Sequence, residues 1–347
     1  MAPAVAFVSF RFGDTDGVSI ETAKWAGAFA DLGWRTYKVA GEGRADHLLP
    51  GLAAGATADD APTTDELDAA LGAADLVVVE NLCTIPLNPA ASAAVAAAIK
   101  GRPAILHHHD PGWQRPHLAA AAEDAGLPPD DRAWAHVTIN HLSRRQMAER
   151  GVDATTIPNC FDTDAAPGNR ARARAAFGLA AGDRLLLHPT RAIPRKNVPA
   201  GITLAGSLGA VYWLLGPAED GYGPELDRLV ARTTATVVRG TPPGVTLADA
   251  YAAADAVCLP STWEGFGNAT VESAVHRRPL ALGAYPVARE IAAYGFRWFP
   301  ADDPVPLRRW LDDPDPALLD GNAAIAARHF SLGRLRRDLS RLLGRWS

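Results

Sequence analysis

Short runs of β-forming apolar residues alternate with longer stretches of helical period, and this alternation restricts the folds open to the chain. "AVAFVSF" (4–10) reads as a strand, and the loop "RFGDTDGVS" leads from it into "IETAKWAGAFADLG". There Ile20, Ala23, Trp25, Ala26, Phe29 and Leu32 approximate a helical stripe. Strand-like runs recur at "TYKVAG", "ADLVVVENL" (74–82), "PAILHHHD" (103–110) and "HVTIN" (136–140), with helices near 89–99 and at "SRRQMAERG". Strands this uniformly apolar are covered on both faces, as in parallel βα sheets.

"TTIPNCFDTDAAPG" (155–168) breaks the pattern with Pro, Asn, Asp and Gly. The alternation then restarts at "DRLLLHPTR" (183–191), "AVYWLLG" (210–216), "ATVVRG" (235–240), "DAVCLPS" (255–261) and "RPLALG" (278–283). The expectation is two doubly wound α/β halves, which suits a length of 347 residues. Ligands of such sheets bind outside the carboxyl ends of the strands, and here the expected site is the cleft between the halves.

The formal net charge is −5, which disfavours general affinity for nucleic acid. Residues 1–150 carry 12 Lys/Arg against 19 Asp/Glu, and residues 151–347 carry 22 against 20, so the acidity lies in the first half. Cys83, Cys160 and Cys258 are far apart and form no C-x-x-C, as expected of reduced thiols in a cytoplasmic protein. No signal peptide is recognisable, and no apolar run reaches the roughly 18–20 residues of a membrane span. The last helix, "SLGRLRRDLSRLLGRW", puts Leu332, Leu335, Leu339, Leu342 and Trp346 on one stripe among arginines. Packing of the leucines on the protein is favoured over a membrane-surface role.

No G-x-G-x-x-G follows the first strand and no G-x-x-x-x-G-K-[ST] is present, which disfavours a nicotinamide or flavin enzyme. Gly17 fits a plain turn and equally fits an anion site at a helix start. Arg191 and Lys196 in "TRAIPRKN" follow a strand and suit either a pyrophosphate or a solvated basic turn. The three histidines of "HHHDPGW" (107–113) cannot all converge on one metal, because neighbours on an extended chain face opposite ways. One of them turned into the cleft is the expected arrangement. "WEGFGNATVE" says most. Gly265 and Gly267 allow close backbone approach, Glu264 suits sugar hydroxyls, and Glu272 suits either a ligand or the helix dipole.

Glu-x7-Glu in "EGFGNATVE", following "ADAVCLPS", resembles the signature of glycosyltransferase family 4. "HPTRAIPRKN", "TIPNCFD", "GDTDGVS", "HHHD" and "ARHFSLGRL" resemble further family segments, in matching order over nearly the whole chain. The resemblance implies the GT-B fold of two facing Rossmann-like domains. Residues 1–160, completed by the helix 331–347, would form the acceptor side, and 161–330 the donor side. It implies that Glu272 binds ribose hydroxyls of a nucleoside diphosphate sugar, and that Arg191 and Lys196 hold the diphosphate. Gly17 would offer its N–H to the distal phosphate. Glu264 and the backbone of Gly265, Phe266, Gly267 and Asn268 would grip the sugar, with His109 near the reacting carbon. Asp110 and Trp113 are candidate acceptor contacts.

The implied activity is retaining hexosyl transfer to a hydroxyl of a small soluble molecule or saccharide, with no cofactor and no metal. Two alternatives stand beside it: a retaining disaccharide phosphorylase of the same fold, and a sugar-nucleotide-binding protein without turnover. Membrane association is disfavoured by the acidic first half. The chain departs from the family at "HRRPLAL" (276–282), where a glycine is usual before the proline, and at "GAYPVAREI" (283–291), where Gly-Gly is usual. Cys160 replaces a linker glycine. No role follows for the loop at Tyr285.

Overall fold

The structure, a computed structural model, describes residues 2–13 and 16–346. The chain divides into two compact units, Met1–Cys160 with Leu332–Ser347, and Phe161–Ser331. Ser331 therefore lies in the second unit, one residue past the expected boundary.

The first unit has seven strands: β1 (Ala4–Phe12), β2 (Arg35–Gly43), β3 (His47–Leu48), β4 (Leu76–Glu80), β5 (Ala104–His108), β6 (Trp134–Thr138) and β7 (Ala154–Thr156). Their order is β3-β2-β1-β4-β5-β6-β7, and all pairings are parallel. The second unit has six: β8 (Arg184–His188), β9 (Ala210–Leu214), β10 (Val237–Arg239), β11 (Ala256–Leu259), β12 (Leu280–Leu282) and β13 (Phe299–Pro300). Their order is β10-β9-β8-β11-β12-β13, again parallel throughout. The order reverses between β1 and β4 and between β8 and β11, which makes two topological switch points. Both units are Rossmann-like.

Both faces of the first sheet are buried. Ala6, Val8, Val77 and Val79 face the helices Thr64–Leu71 and Pro89–Ala98, through Leu67, Leu71 and Val95. Val5, Phe7, Val78 and Ile105 face Trp25 and Phe29 of the helix Gly17–Asp31. That helix turns differently from the stripe read in the sequence. Ile20 and Ala23 are exposed, while Glu21, Thr22, Trp25, Ala28 and Phe29 are buried. Large rings set the face: Trp25 stacks on His107 at 4.0 Å, and Phe29 meets Phe7 edge-on at 5.9 Å. Glu21 tolerates burial because Lys24 pairs with it at 2.5 Å.

The helix Leu332–Leu343 belongs to the first unit. Leu335 and Leu339 are fully buried in the same core as Trp25, and Leu332, Leu342 and Trp346 pack around them. Arg336 pairs with Asp31, and Arg334 with Asp338. The leucine stripe is thus spent on the protein. Leu339→Ala should cost about 2–5 kcal/mol in urea denaturation. Arg337→Ala, at an exposed position on the same helix, should stay within about 0.5 kcal/mol.

Candidate active site

In the second unit, the chain leaves β8 at His188 and makes a short 3-10 turn, Pro194–Lys196, before the helix Val198–Leu208. Asn197, at φ 53°, gives the reversal that sends Lys196 inward. From the adjacent strand β11 the chain reaches Glu264. Lys196 Nζ donates to Glu264 Oε1 at 2.5 Å, and Arg195 Nη1 donates to Oε2 at 2.7 Å. Both Lys196 and Glu264 are buried. Burial pushes the Glu264 pKa up, but the two cations outweigh it and hold the carboxyl below its ordinary value. Burial lowers the Lys196 pKa, opposed by Glu264 and reinforced by Arg195 and Arg191. The cluster is two cations on one anion, at the switch point of this sheet.

Arg191 is not in that cluster. Its Nη1 pairs with Glu219 at 2.5 Å, at a half-buried position. Gly267 has φ +84°, and a Cβ there would clash with the Tyr285 hydroxyl, so only glycine fits. The Phe266 ring packs between Phe161 and Phe330, which leaves its backbone as the part available to a ligand. Gly265 and Asn268 flank this turn, and Asn268 stands at the start of the helix Ala269–Val275. On that helix Glu272 Oε2 accepts from the Tyr251 hydroxyl at 2.7 Å. The structure thus joins Lys196 to Glu264, and keeps Arg191 and Glu272 on partners the sequence did not suggest.

In the first unit, Gly17 opens the helix Gly17–Asp31, whose cap is Asp16. Asp14 and Thr15 of this loop lie outside the described residues. Gly17 is exposed, and a Cβ on it would meet nothing within 4 Å, so packing does not demand glycine there. The histidine run at the end of β5 splits between faces. His108 bonds Thr84 at 2.6 Å and His136 at 2.9 Å. His107 Nδ1 and His109 Nε2 both reach Glu80 Oε2, at 2.9 and 2.7 Å. His107 and His109 thus share one side and His108 takes the other, the alternation that an extended chain requires. Asp110 pairs with Arg115. Trp113 donates to Gln146 at 3.0 Å and lies under Arg150, at 4.3 Å from its ring centre.

Sequence reasoning missed Glu80, the last residue of β4, which is in register with His107 across the pairing with β5. Asn81 follows at φ 60° and its Oδ1 accepts from the backbone N–H of His109 and Asp110, at 3.2 and 3.0 Å. "EN" thus clamps "HHHD" by side chain and backbone together. Glu80, His107 and His109 offer three atoms within 4.8 Å of one another, the number a metal site needs. Zinc bonds of about 2.0–2.1 Å at tetrahedral angles would hold ligand atoms about 3.3 Å apart. The shorter N···O separations fit hydrogen bonds. A carboxylate accepts only, so His107 donates through Nδ1 and His109 through Nε2. The His109 edge left for other work carries Nδ1.

No family model matches the chain. The mannosylglucosylglycerate synthase of Thermotoga maritima is 25% identical over 426 aligned residues, covering 97% of this chain and 99% of that protein. The D-inositol 3-phosphate glycosyltransferase of Mycobacteroides abscessus is 34% identical over 172 residues, covering 46% of this chain and 37% of that one. Among solved structures, Anabaena HepE in complex with UDP-glucose superposes with a TM-score of 0.79 at 17% identity, over 98% of this chain and 99% of that one. The chain is a glycosyltransferase of GT-B type.

In this enzyme, the buried Glu80 group makes stability depend on acid. Burial raises the Glu80 pKa, but His107 and His109 outweigh it and bring it to about 2, from 4.5. Burial takes His107 down to about 4, from 6.5, against the pull of Glu80. Both groups bind fewer protons folded than unfolded, so both stabilise at high pH. The His107 share is lost as pH falls from about 6.5 to 4, and the Glu80 share from about 4.5 to 2. The urea midpoint should fall steadily below about pH 6.5. His107→Phe should flatten its upper part.

Proposed function

We propose that this glycosyltransferase moves a hexosyl unit, with retention, from a nucleoside diphosphate sugar to a hydroxyl of a small soluble acceptor. One observation carries the reading: buried Lys196 and half-buried Arg195 meet on the buried Glu264 carboxylate at the β8/β11 switch point. Cations buried at the carboxyl ends of parallel strands suit a diphosphate. HepE, a structural neighbour, is seen with UDP-glucose.

In this reading Lys196, joined by Arg191 once the diphosphate replaces Glu219 as its partner, neutralises the diphosphate as it leaves. These fixed cations take the part that a divalent ion plays elsewhere, so no metal or cofactor is assigned. Glu264 grips sugar hydroxyls together with the backbone of Gly265, Phe266, Gly267 and Asn268. Glu272 accepts from the ribose, Gly17 donates its N–H to the distal phosphate, and His109 presents Nδ1 to the reacting centre. The second unit is the donor side and the first the acceptor side, with Asp110 and Trp113 as acceptor contacts.

A small polar acceptor is supported by the similarity to a protein named for mannosylglucosylglycerate and to one named for inositol 3-phosphate. A lipid surface is disfavoured because the leucines of the last helix are taken up by the core. No helix of the described residues is long and apolar enough to cross a membrane. Buried free thiols at Cys83, Cys160 and Cys258 suit the cytoplasm.

A thermal-shift panel of UDP, GDP, ADP and phosphate tests the reading. One nucleotide should raise the melting temperature; an effect of phosphate alone would favour the disaccharide phosphorylase. Lys196→Ala should cut kcat about 100-fold or more, and nucleotide binding with no turnover of any donor would leave a binding protein. Gly17→Ala should keep or slightly raise stability, by up to about 1 kcal/mol, while raising KM for the donor. An unchanged KM would return Gly17 to a plain turn.

A further inference from the structure

Glu272 carries the ribose in the reading above, yet a carboxylate on a helix has several rotamers, and only some aim at a ligand. Its neighbour Tyr251 lies on another helix, Leu247–Ala253, and is fully buried. The Tyr251 hydroxyl donates to Glu272 Oε2 at 2.7 Å. Its ring stacks on His276 at 4.6 Å between centres, with 19° between planes. His276 stands one turn beyond Glu272, with its N–H bonded to the Glu272 carbonyl at 2.9 Å. Tyr251 therefore grips two successive turns of the Glu272 helix.

Tyr251 is itself held from behind. Arg278 Nε donates to the Tyr251 carbonyl at 2.8 Å, and Arg278 Nη2 to that of Ala252 at 3.1 Å. Arg170 Nη1 bonds the carbonyls of Ala252 and Ala253. Cations on the last carbonyls of a helix fix its end. Burial holds the phenol pKa well above its ordinary value, with Glu272 adding to the shift, so Tyr251 remains a donor at working pH. The stretch 276–278, where Arg278 stands in place of the glycine usual before the proline, supplies both supports.

We propose that Tyr251 is a positioning residue for ribose recognition: its hydroxyl fixes the Glu272 carboxylate in the rotamer that accepts from the ribose, and His276 and Arg278 fix Tyr251. The inference rests on the ribose role of Glu272. It assigns to the second unit a pre-set carboxylate, in place of one ordered only when the nucleotide arrives.

The test measures affinity for whichever of UDP, GDP and ADP most stabilises the wild-type chain, and for its 2′,3′-dideoxy counterpart. Tyr251→Phe keeps the ring and removes the hydroxyl. It should weaken the ribonucleotide about tenfold and leave the dideoxy form within about twofold, narrowing the ratio towards that of Glu272→Ala. General loosening of the fold would weaken both ligands alike. Tyr251→Phe with the wild-type ratio, beside a narrowed ratio in Glu272→Ala, would overturn the role of Tyr251 alone. A wild-type ratio in Glu272→Ala would remove the ribose reading, and the inference with it. No effect of any nucleotide would defeat both. Should Tyr251→Phe lose its thermal transition, His276→Ala, at a half-buried position, carries the same comparison.

Discussion

Every strand pairing among the described residues is parallel, in both sheets. A parallel sheet gathers the carboxyl ends of its strands on one edge, and the loops leaving them share that edge. Distant stretches of sequence are thereby brought together without any contact having to select them. Lys196 follows β8 and Glu264 follows β11, 68 residues later, and the two strands are neighbours. Glu80 ends β4 and His107 lies on β5, in register with it. The switch points add a gap between helices that cross on opposite faces. The chemistry is placed by topology first and by local turns second.

In both units that edge holds a buried carboxylate shared by two basic groups. Glu264 takes Lys196 and Arg195, and Glu80 takes His107 and His109. Removing such a charge from water costs several kcal/mol, and apolar residues of equal volume are often as stable. Their worth lies in direction. Each carboxylate decides which ring nitrogen or ammonium hydrogen points inward, and leaves the opposite edge for other work. His188, at the end of β8, is oriented by a hydroxyl in place of a carboxylate: its Nδ1 meets the Tyr212 hydroxyl at 2.6 Å, and burial, with Lys196 nearby, pushes its pKa down to about 3.

The alternation of apolar runs made the parallel sheets legible, because β-rich strands buried on both faces leave a plain mark. The strands of two residues, His47–Leu48 and Phe299–Pro300, left none, since two residues carry no period. The first helix was turned wrongly because counting apolar residues ignores ring size. Trp25 and Phe29 decide its face, and Ile20 is left in water. Glu264 and Lys196 were visible as a motif beside a strand end. Glu80 was not, since a lone acid after "LVVV" looks like a solvated strand end, and only the β4–β5 register shows what it faces. The resting partner of Arg191 was equally hidden: Glu219, which pairs with it, lies 28 positions away in sequence. The loop at Tyr285 was opaque until the left-handed turn at Gly267 explained why a hydroxyl fits there.

The helix Leu332–Leu343 also has a consequence for how the molecule is made. Synthesis runs from the amino end, so residues 161–331 leave the ribosome before this helix does. The second unit then holds its whole sequence, while the first, although begun earlier, still lacks Leu335 and Leu339. Its sheet waits with one apolar face part-covered until the last turns emerge. The half that starts first is the half that finishes last, and during that interval its exposed core is what a chaperone or a protease would meet.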